Sequence, residues 1–428
     1  MQIAEDGRGD ALREKLIGTF RRIMRLYFKD IERVGEAPGS DTRGRVFVSN
    51  HYNALIDPIL VLTDAACEIS PIAKSTLWSV PGLRWLLDRA GAVPIVRRKD
   101  SPDKNASAND AAFDKIAAHL SAGGNILIFP EGTSHSEPHL APLRTGAARM
   151  LLAAEKAGGI PPTFQAAALE FDDRETFRSR CLVLWGPVRA FRDVAGASDE
   201  ERVAAATAQM DADLRELLVE GETHDERLRI ARVAELLAND SGDTTLGAWN
   251  GIGRRVELAN RTLTGADVAT VGERVDAYYG ALEKLHLRDA QIVGAAPPEP
   301  RERSRWRQLA LAPLAASGFA LYALPYWIPR LVARRTDADA VSTIKLGAAL
   351  VVYPLWMGGL VGVSMMLPPP LSFAAAAIAI ASPFAALEWL DKWYERKPAP
   401  TPEQLAELGR LRLAARTAID DARAKLPS

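Results

Sequence analysis

At 428 residues the chain is longer than one ordinary domain, so at least two structural regions are expected. A formal net charge of -1 leaves no protein-wide field to gather nucleic acid, which removes DNA and RNA from the expected partners. Cys67 and Cys181 stand without a CxxC or CxxH neighbour, so structural zinc and a disulfide framework are excluded and two buried thiols are expected.

The opening MQIAEDGRGD is polar and acidic where a cleavable signal is basic and then apolar, so no secretory signal is expected. Over residues 12–31, Leu12, Leu16, Phe20, Ile23, Tyr27 and Ile31 recur at helical spacing, with Arg13, Lys15, Arg21, Arg22, Arg25 and Lys29 around the rest of the helix. Such a basic amphipathic helix either lies on an anionic membrane surface or docks its apolar stripe on the following domain. With a turn-rich linker it forms a first region, residues 1–43.

Residues 44–195 read as an α/β domain. RVFVS at 45–49 is a buried-strand pattern that runs into polar Asn50, His51, Tyr52 and Asn53. Further short apolar runs at 93–96, 125–129, 164–169 and 181–184 alternate with helical patterns at 111–120 and 146–156. From 196 to 300 the composition shifts to Ala, Arg, Glu and Leu with few strand formers, which predicts helices. Residues 301–397 then hold three apolar segments, 309–328, 346–367 and 371–386, and a helical tail occupies 398–428. Two of the segments reach the roughly 20 residues that cross a bilayer.

Basic residues flank these segments: Arg301, Arg303, Arg305 and Arg307 before the first, Arg330, Arg334 and Arg335 after it, and Lys392, Arg396 and Lys397 after the third. A re-entrant or interfacial first segment, interrupted by Pro313 and Pro325, followed by a two-span hairpin turning at Pro368, Pro369 and Pro370, keeps every basic cluster on one side. The expectation is an integral membrane protein whose α/β domain faces the cytoplasm.

Histidine is the side chain whose ordinary pKa suits a general base near neutral pH, and a carboxylate on its other nitrogen fixes tautomer and orientation. His51 and Asp57 fit such a pair. On one continuous helix six residues would set them roughly 120° apart, so YNALI must hold a turn or an irregular helix start. The competing reading makes Asp57 a helix N-cap with Pro58 at the first position, and His51 an ordinary loop residue. A second strand, NILIF, runs straight into Pro130, Glu131, Gly132, Thr133 and Ser134, so two strand ends can share one site. Gly132 admits close backbone approach, and neighbouring amides and hydroxyls suit phosphate or a developing oxyanion. A third strand delivers Arg97 and Arg98, whose guanidinium forks match phosphate. In SHSEPH, His135, Glu137 and His139 alternate in the manner of metal ligands, but Pro138 prevents a two-histidine helix face and no fourth ligand is near, so no metal is expected.

Taken in order, NHYNALIDP (50–58), GAVPIVRR (91–98), FPEGTSHSEPHLAPLRTGAARM (129–150) and FRSRCLVLWGPV (177–188) resemble the successive motifs of the glycerolipid (PlsC-type) acyltransferase family. The resemblance covers about the first half of the chain. Its FPEGTSH block, its wider spacing and its C-terminal apolar segments are similar to the subgroup with fungal glycerol-3-phosphate and dihydroxyacetone-phosphate acyltransferases. Five residues lie between His51 and Asp57 where most of the family has four, a departure that the subgroup shares.

The resemblance implies a mixed sheet flanked by helices. It further implies His51 as general base with Asp57 as its orienting partner, Arg97 or Arg98 as phosphate binder, and Glu131 and Gly132, beside Thr133, as part of the acceptor site. Arg144, in the family's LKTGA-like segment, and Arg178 are implied binders of phosphate or of the acyl donor's pantetheine end. Implied partners are a phosphate-bearing glycerolipid precursor, an acyl thioester donor and membrane lipid. No cofactor is implied, the acyl-CoA or acyl carrier protein thioester being a co-substrate. No GxSxG elbow or catalytic cysteine context suggests a covalent intermediate. Lysophosphatidic acid is the rival acceptor, and a catalytically silent lipid-binding scaffold is the rival class of function.

Overall fold

The computed structural model describes residues 7–79, 82–96, 105–293, 302–334, 336, 340–393 and 400–427. The chain divides into two units, Met1–Glu220 and Gly221–Ser428.

In the first unit, α1 (Gly7–Tyr27) leads into the edge strand β1 (Asp30–Val34). α1 packs along α2 (Ile56–Asp64), with Met24 and Tyr27 buried. Its arginines take part in the docking: Arg21 Nε donates to Thr63 O at 2.8 Å in the last turn of α2, and Arg13 Nη2 donates to Ile69 O at 2.7 Å. Of the apolar stripe, Tyr27 is buried in this docking, Leu16, Phe20 and Ile23 are half-buried and Leu12 is exposed. β1, DIERV, falls in the segment expected to be linker. Its alternating charges hide it as a strand and suit a sheet edge, where charge discourages pairing with another chain.

β2 (Arg45–Val48), β3 (Ser70–Lys74), β4 (Val93–Ile95), β5 (Ile126–Ile128), β6 (Thr163–Phe171) and β7 (Arg180–Ala190) complete a seven-stranded sheet in the order β1-β7-β6-β2-β5-β3-β4. Only β6 and β7 pair antiparallel; every other neighbour is parallel, so the sheet is mixed. The C-terminal ends of β2, β5, β3 and β4 therefore open on one edge, where open α/β sheets bind ligands. β3 escapes the sequence pattern because Pro71, in SPIAK, cannot donate to a ladder and argues against a strand. Helices α3 (Leu83–Arg89), α4 (Asn105–Ser121) and α5 (Gly146–Ala157) lie between the strands in the chain. α6 (Asp199–Leu217) packs on the same unit: Ala206, Met210 and Leu214 are buried, and Arg189 Nη2 meets Asp213 Oδ1 at 2.9 Å. The compositional shift near 196 thus marks the end of the sheet rather than the end of the unit.

The second unit begins with α7 (His224–Ser241), α8 (Leu246–Thr262) and α9 (Gly265–Lys284), and the short α10 (Asp289–Ile292) follows. Thr223, Thr245 and Thr264 each accept from the backbone N–H three residues on, which ends the exposed N–H row of each helix. Three apolar helices come next, α11 (Glu302–Ala333), α12 (Val341–Ser364) and α13 (Leu371–Trp393), all long and apolar enough to cross a membrane by length and composition. α11 is continuous through Pro313, Pro325 and Pro329. The expectation that proline interrupts it is corrected: packed against neighbouring helices, proline removes single hydrogen bonds and need not end the helix. α14 (Pro402–Arg423) closes the chain, capped by Thr401 and Gln404 in a reciprocal box.

Candidate functional site

β2 and β5 are adjacent and parallel in register Val46↔Ile126 to Val48↔Ile128, so the polar residues after each emerge side by side. Beyond β2, Asn50 stays in the sheet. Its Nδ2 donates to Leu169 O at 3.0 Å and its Oδ1 accepts from Leu169 N at 2.8 Å, so a side chain stands in for a strand partner and fixes where the chain turns away.

The chain then turns through residues 52–55, with Ala54 at φ +37°, and α2 begins at Ile56. Leu55 occupies the N-cap and makes no side-chain cap, so the N-cap reading of Asp57 is corrected to the first helical turn. Folded back by this turn, Asp57 Oδ2 accepts from Asn53 N at 2.7 Å and lies 3.0 Å from His51 Nδ1. The carboxylate is wholly buried at a helix N-terminus, where the backbone dipole favours negative charge. With Nδ1–H donating to Asp57, the His51 proton sits on Nδ1 and Nε2 is left as the basic lone pair. Nε2 has no hydrogen-bond partner among the described residues, and the side chain keeps 13% of its surface exposed. Phe129, at the end of β5, stacks on the imidazole with centroids 4.1 Å apart and planes at 21°.

Glu131 ties the two loops together. Its side chain is fully buried; Oε1 accepts from His51 N at 2.7 Å, and Oε2 accepts from Ala141 N at 2.8 Å and from His135 Nε2. His135 Nδ1 accepts from Glu137 N at 3.2 Å, which puts the ring proton on Nε2, toward Glu131. His135 N also donates to His51 O at 3.1 Å, and Tyr52 meets the His135 ring edge-on at 5.2 Å. Among the described residues no group of three His, Cys, Asp or Glu is placed to hold a metal ion.

Gly132 turns at φ +80°, and an added Cβ would lie 2.7 Å from Arg144 Nε, so the absence of a side chain lets the guanidinium fold over the loop. Arg144 is exposed and makes no side-chain hydrogen bond or ion pair among the described residues, which leaves its donors available to an anion. Thr133 is exposed, its hydroxyl 3.3 Å from Ser134 O. Arg178 is used in the fold: at φ +67° it donates from Nη1 to Arg25 O, Leu26 O and Phe28 O at 3.1–3.2 Å, capping the C-terminus of α1. Arg97 and Arg98 follow β4 and lie outside the described residues.

Sequence spacing brought forward His51, Asp57, Glu131 and Gly132; the first three are joined by hydrogen bonds, and Gly132 lies next to Glu131 beneath the Arg144 side chain. It missed Asn50 as a strand surrogate, Phe129 as the imidazole's stacking partner and His135 as a donor to Glu131. Asn50 and Phe129 open two of the quoted motifs, but their residue types do not signal these contacts; for His135 the i, i+4 spacing from Glu131 was the available signal.

Comparison with known proteins matches residues 27–164 to the Acyltransferase family. Glycerol-3-phosphate O-acyltransferase 2 of Saccharomyces cerevisiae is 38% identical over 82 residues, which is 18% of this chain and 11% of that one. The chloroplastic 1-acyl-sn-glycerol-3-phosphate acyltransferase BAT2 of Brassica napus is 28% identical over 125 residues, 29% of this chain and 34% of that one. The matches thus span 11% and 34% of the two relatives. Among solved structures, the 1-acyl-sn-glycerophosphate acyltransferase PlsC of Thermotoga maritima aligns with a TM-score of 0.35 and 16% identity over 50% of this chain and 84% of that one. The first unit of this chain contains an Acyltransferase-family domain.

Proposed function

We propose that the chain is a membrane-bound O-acyltransferase that moves an acyl group from a thioester to the hydroxyl of glycerol 3-phosphate or dihydroxyacetone phosphate. The observation that carries this is His51, with Nδ1 3.0 Å from a buried Asp57 and Nε2 open. His51 Nε2 takes the acceptor hydroxyl proton as the oxygen attacks the thioester carbonyl. The carbon–sulfur bond then breaks, and the thiolate leaves with the proton returned from His51. Arg144 binds the acceptor phosphate or the donor's pantetheine end, and Arg97 and Arg98 are proposed for the phosphate. Thr133 and the amide of Gly132 line the acceptor's approach. The resemblance assigns Glu131 to the acceptor; its three bonds support instead a positioning role, in which it fixes the backbone of His51.

An acceptor with one acyl chain already attached, lysophosphatidic acid, is the second reading, favoured by the likeness to the Brassica napus enzyme. A bilayer location suits either, since each product methylene kept from water contributes about 0.8 kcal/mol. Membranes holding the full chain, offered an acyl-CoA with each of the three acceptors in turn, are expected to release free thiol and form lipid with one of them. His51→Ala should abolish both signals with membrane association retained. Thiol release by that variant at the wild-type rate would sink the assignment, and lipid binding with no thiol release by the wild type would revive the silent scaffold.

A further inference from the structure

The polar helices on either side of the three apolar ones are packed together. α14 follows α13 in the chain, yet its Leu408, Ala415 and Ile419 share a core with Val233 and Leu236 of α7 and with Val275, Tyr278, Tyr279 and Leu282 of α9. Beside that core the fully buried Asp289 accepts from Arg412 Nε of α14 at 2.7 Å, from Tyr278 Oη at 2.6 Å and from Asn239 Nδ2 at 2.8 Å. Arg412 also reaches Asp240 at 2.6 Å. Parting α14 from α7 and α9 would leave a buried carboxylate without its guanidinium, which is strongly unfavourable. The chain therefore leaves these helices after Ile292 and returns to them at Pro402 on the same side of any bilayer. Leaving and returning on one side requires an even number of crossings, and the apolar helices among the described residues number three.

Side-chain pairing says which two cross. Arg307, near the start of α11, meets Glu388, near the end of α13, at 3.1 Å; Gly318 lies against the Ser382 carbonyl; Tyr322 Oη donates to Ala379 O at 2.8 Å. Numbers rising along α11 meet numbers falling along α13, so the two are antiparallel and the end of α11 is level with the start of α13. A Cβ at Gly318 would stand 2.2 Å from Ser382 O, an approach that glycine alone permits. Along α11 the exposed Trp306 and Trp327 stand about 31 Å apart at the helical rise per residue, close to the roughly 30 Å of a hydrocarbon core. Arg330 stacks on Tyr326 at 3.8 Å just beyond, as aromatic and basic anchors do at an interface. α12 links the end of α11 to the start of α13, so both of its ends belong to that one level. Only 6% of its apolar window is buried by protein, and lipid is the partner left to cover the rest.

We infer that α11 and α13 cross the bilayer as an antiparallel pair, and that α12, a continuous helix whose Trp356 Nε1 donates to Leu321 O at 2.9 Å midway along α11, lies within the far leaflet with both ends on the far side. α7–α10 and α14 then share the near side. This differs from the sequence expectation, in which the second and third segments cross and the first does not.

The test uses the full chain carrying one added cysteine at a time in sealed vesicles: Thr262→Cys in α8, Glu407→Cys in α14, Arg334→Cys after α11, or Met366→Cys after α12. A membrane-impermeant maleimide is applied before and after permeabilisation, the unsubstituted chain with its buried Cys67 and Cys181 giving the background. Positions 262 and 407 are expected to label together, and 334 and 366 together from the opposite side. Labelling of 262 and 407 from opposite sides overturns the even count. Positions 334 and 366 on opposite sides make α12 a crossing and overturn the pairing; both on the side of 262 removes the crossings altogether. Glycosylation acceptors inserted at the same four positions provide a second readout for any variant that fails to accumulate, and a far link that neither labels nor is glycosylated also counts against the inference.

Discussion

Replacing Glu131 by Gln separates a structural tie from a substrate ligand. The carboxylate accepts from His51 N at 2.7 Å, from Ala141 N at 2.8 Å and from His135 Nε2, and its side chain has no exposed surface. Glutamine keeps the size but offers one acceptor oxygen, and its amide nitrogen must face an N–H with which it cannot bond. Whichever way the amide turns, at least one buried donor is orphaned, at about 1–3 kcal/mol, and the remaining bonds lose charge assistance worth about 1 kcal/mol each. Together the change costs about 2–5 kcal/mol. At about 1.4 kcal/mol per factor of ten, local opening rises from roughly 30-fold to several thousandfold. Hydrogen exchange of peptides covering residues 49–57 and 129–145 measures this directly, alongside acyl-transfer kinetics on the same preparation. The expected result is faster exchange in both peptides, by more than about tenfold, with kcat lowered and the acceptor KM little changed. Unchanged exchange with a raised acceptor KM would refute the tie and return Glu131 to the acceptor site.

Asp57→Asn keeps the volume but removes the charge that takes both His51 Nδ1–H and Asn53 N–H, so transfer is expected to fall about 10²- to 10⁴-fold; a drop below tenfold takes Asp57 out of the mechanism. Gly132→Ala adds a Cβ 2.7 Å from Arg144 Nε at φ +80°, with about 1–2 kcal/mol of backbone strain, and its activity loss should match that of Arg144→Ala; full activity in either variant would contradict the placement of Arg144 over the loop. Burial pushes the Cys67 and Cys181 thiols above the ordinary range, so the folded chain holds them neutral. Unfolding lets them ionise above about pH 8.5, so their contribution to stability is present below that pH and is lost as pH rises toward the folded values. A disulfide reagent should find no fast thiol at pH 7.5 until denaturant is added, and stoichiometric reaction with the native chain would disprove this. Gly318→Val should sharply lower the folded chain recovered from membranes while Gly358→Val, which meets open space, should not; equal recovery would sink the close α11–α13 crossing.

The sheet was legible where strands obey their own pattern. β2 and β5 are short apolar runs that stop at polar clusters, and that pattern set His51 and Glu131 each at a strand end; that the two strands are neighbours came from their pairing in the sheet. β1 and β3 were hidden for opposite reasons: one alternates charges because it is an edge, and the other carries Pro71. The His51–Asp57 contact was legible only as a requirement. Spacing demanded a turn within YNALI, but the turn rests on Ala54 at φ +37°, a residue type that signals no such conformation.

Glu131 shows why resemblance and geometry divide the labour. A motif records that a carboxylate stands at this position; it does not record that the partners are a backbone N–H 80 residues earlier and another ten residues later. Those donors belong to the chain whatever side chains surround them, so no pattern of residue types points to them. A base in direct transfer must hold its lone pair on the acceptor hydroxyl without a covalent intermediate to fix the geometry, and small misplacements of such a group carry large rate penalties. A buried carboxylate that pins the backbone of the base to the neighbouring strand's loop meets that requirement, and it explains why the imidazole is held from three sides: by Asp57 on Nδ1, by Phe129 on its face and by Glu131 on its main chain. Only Nε2 is left free to react.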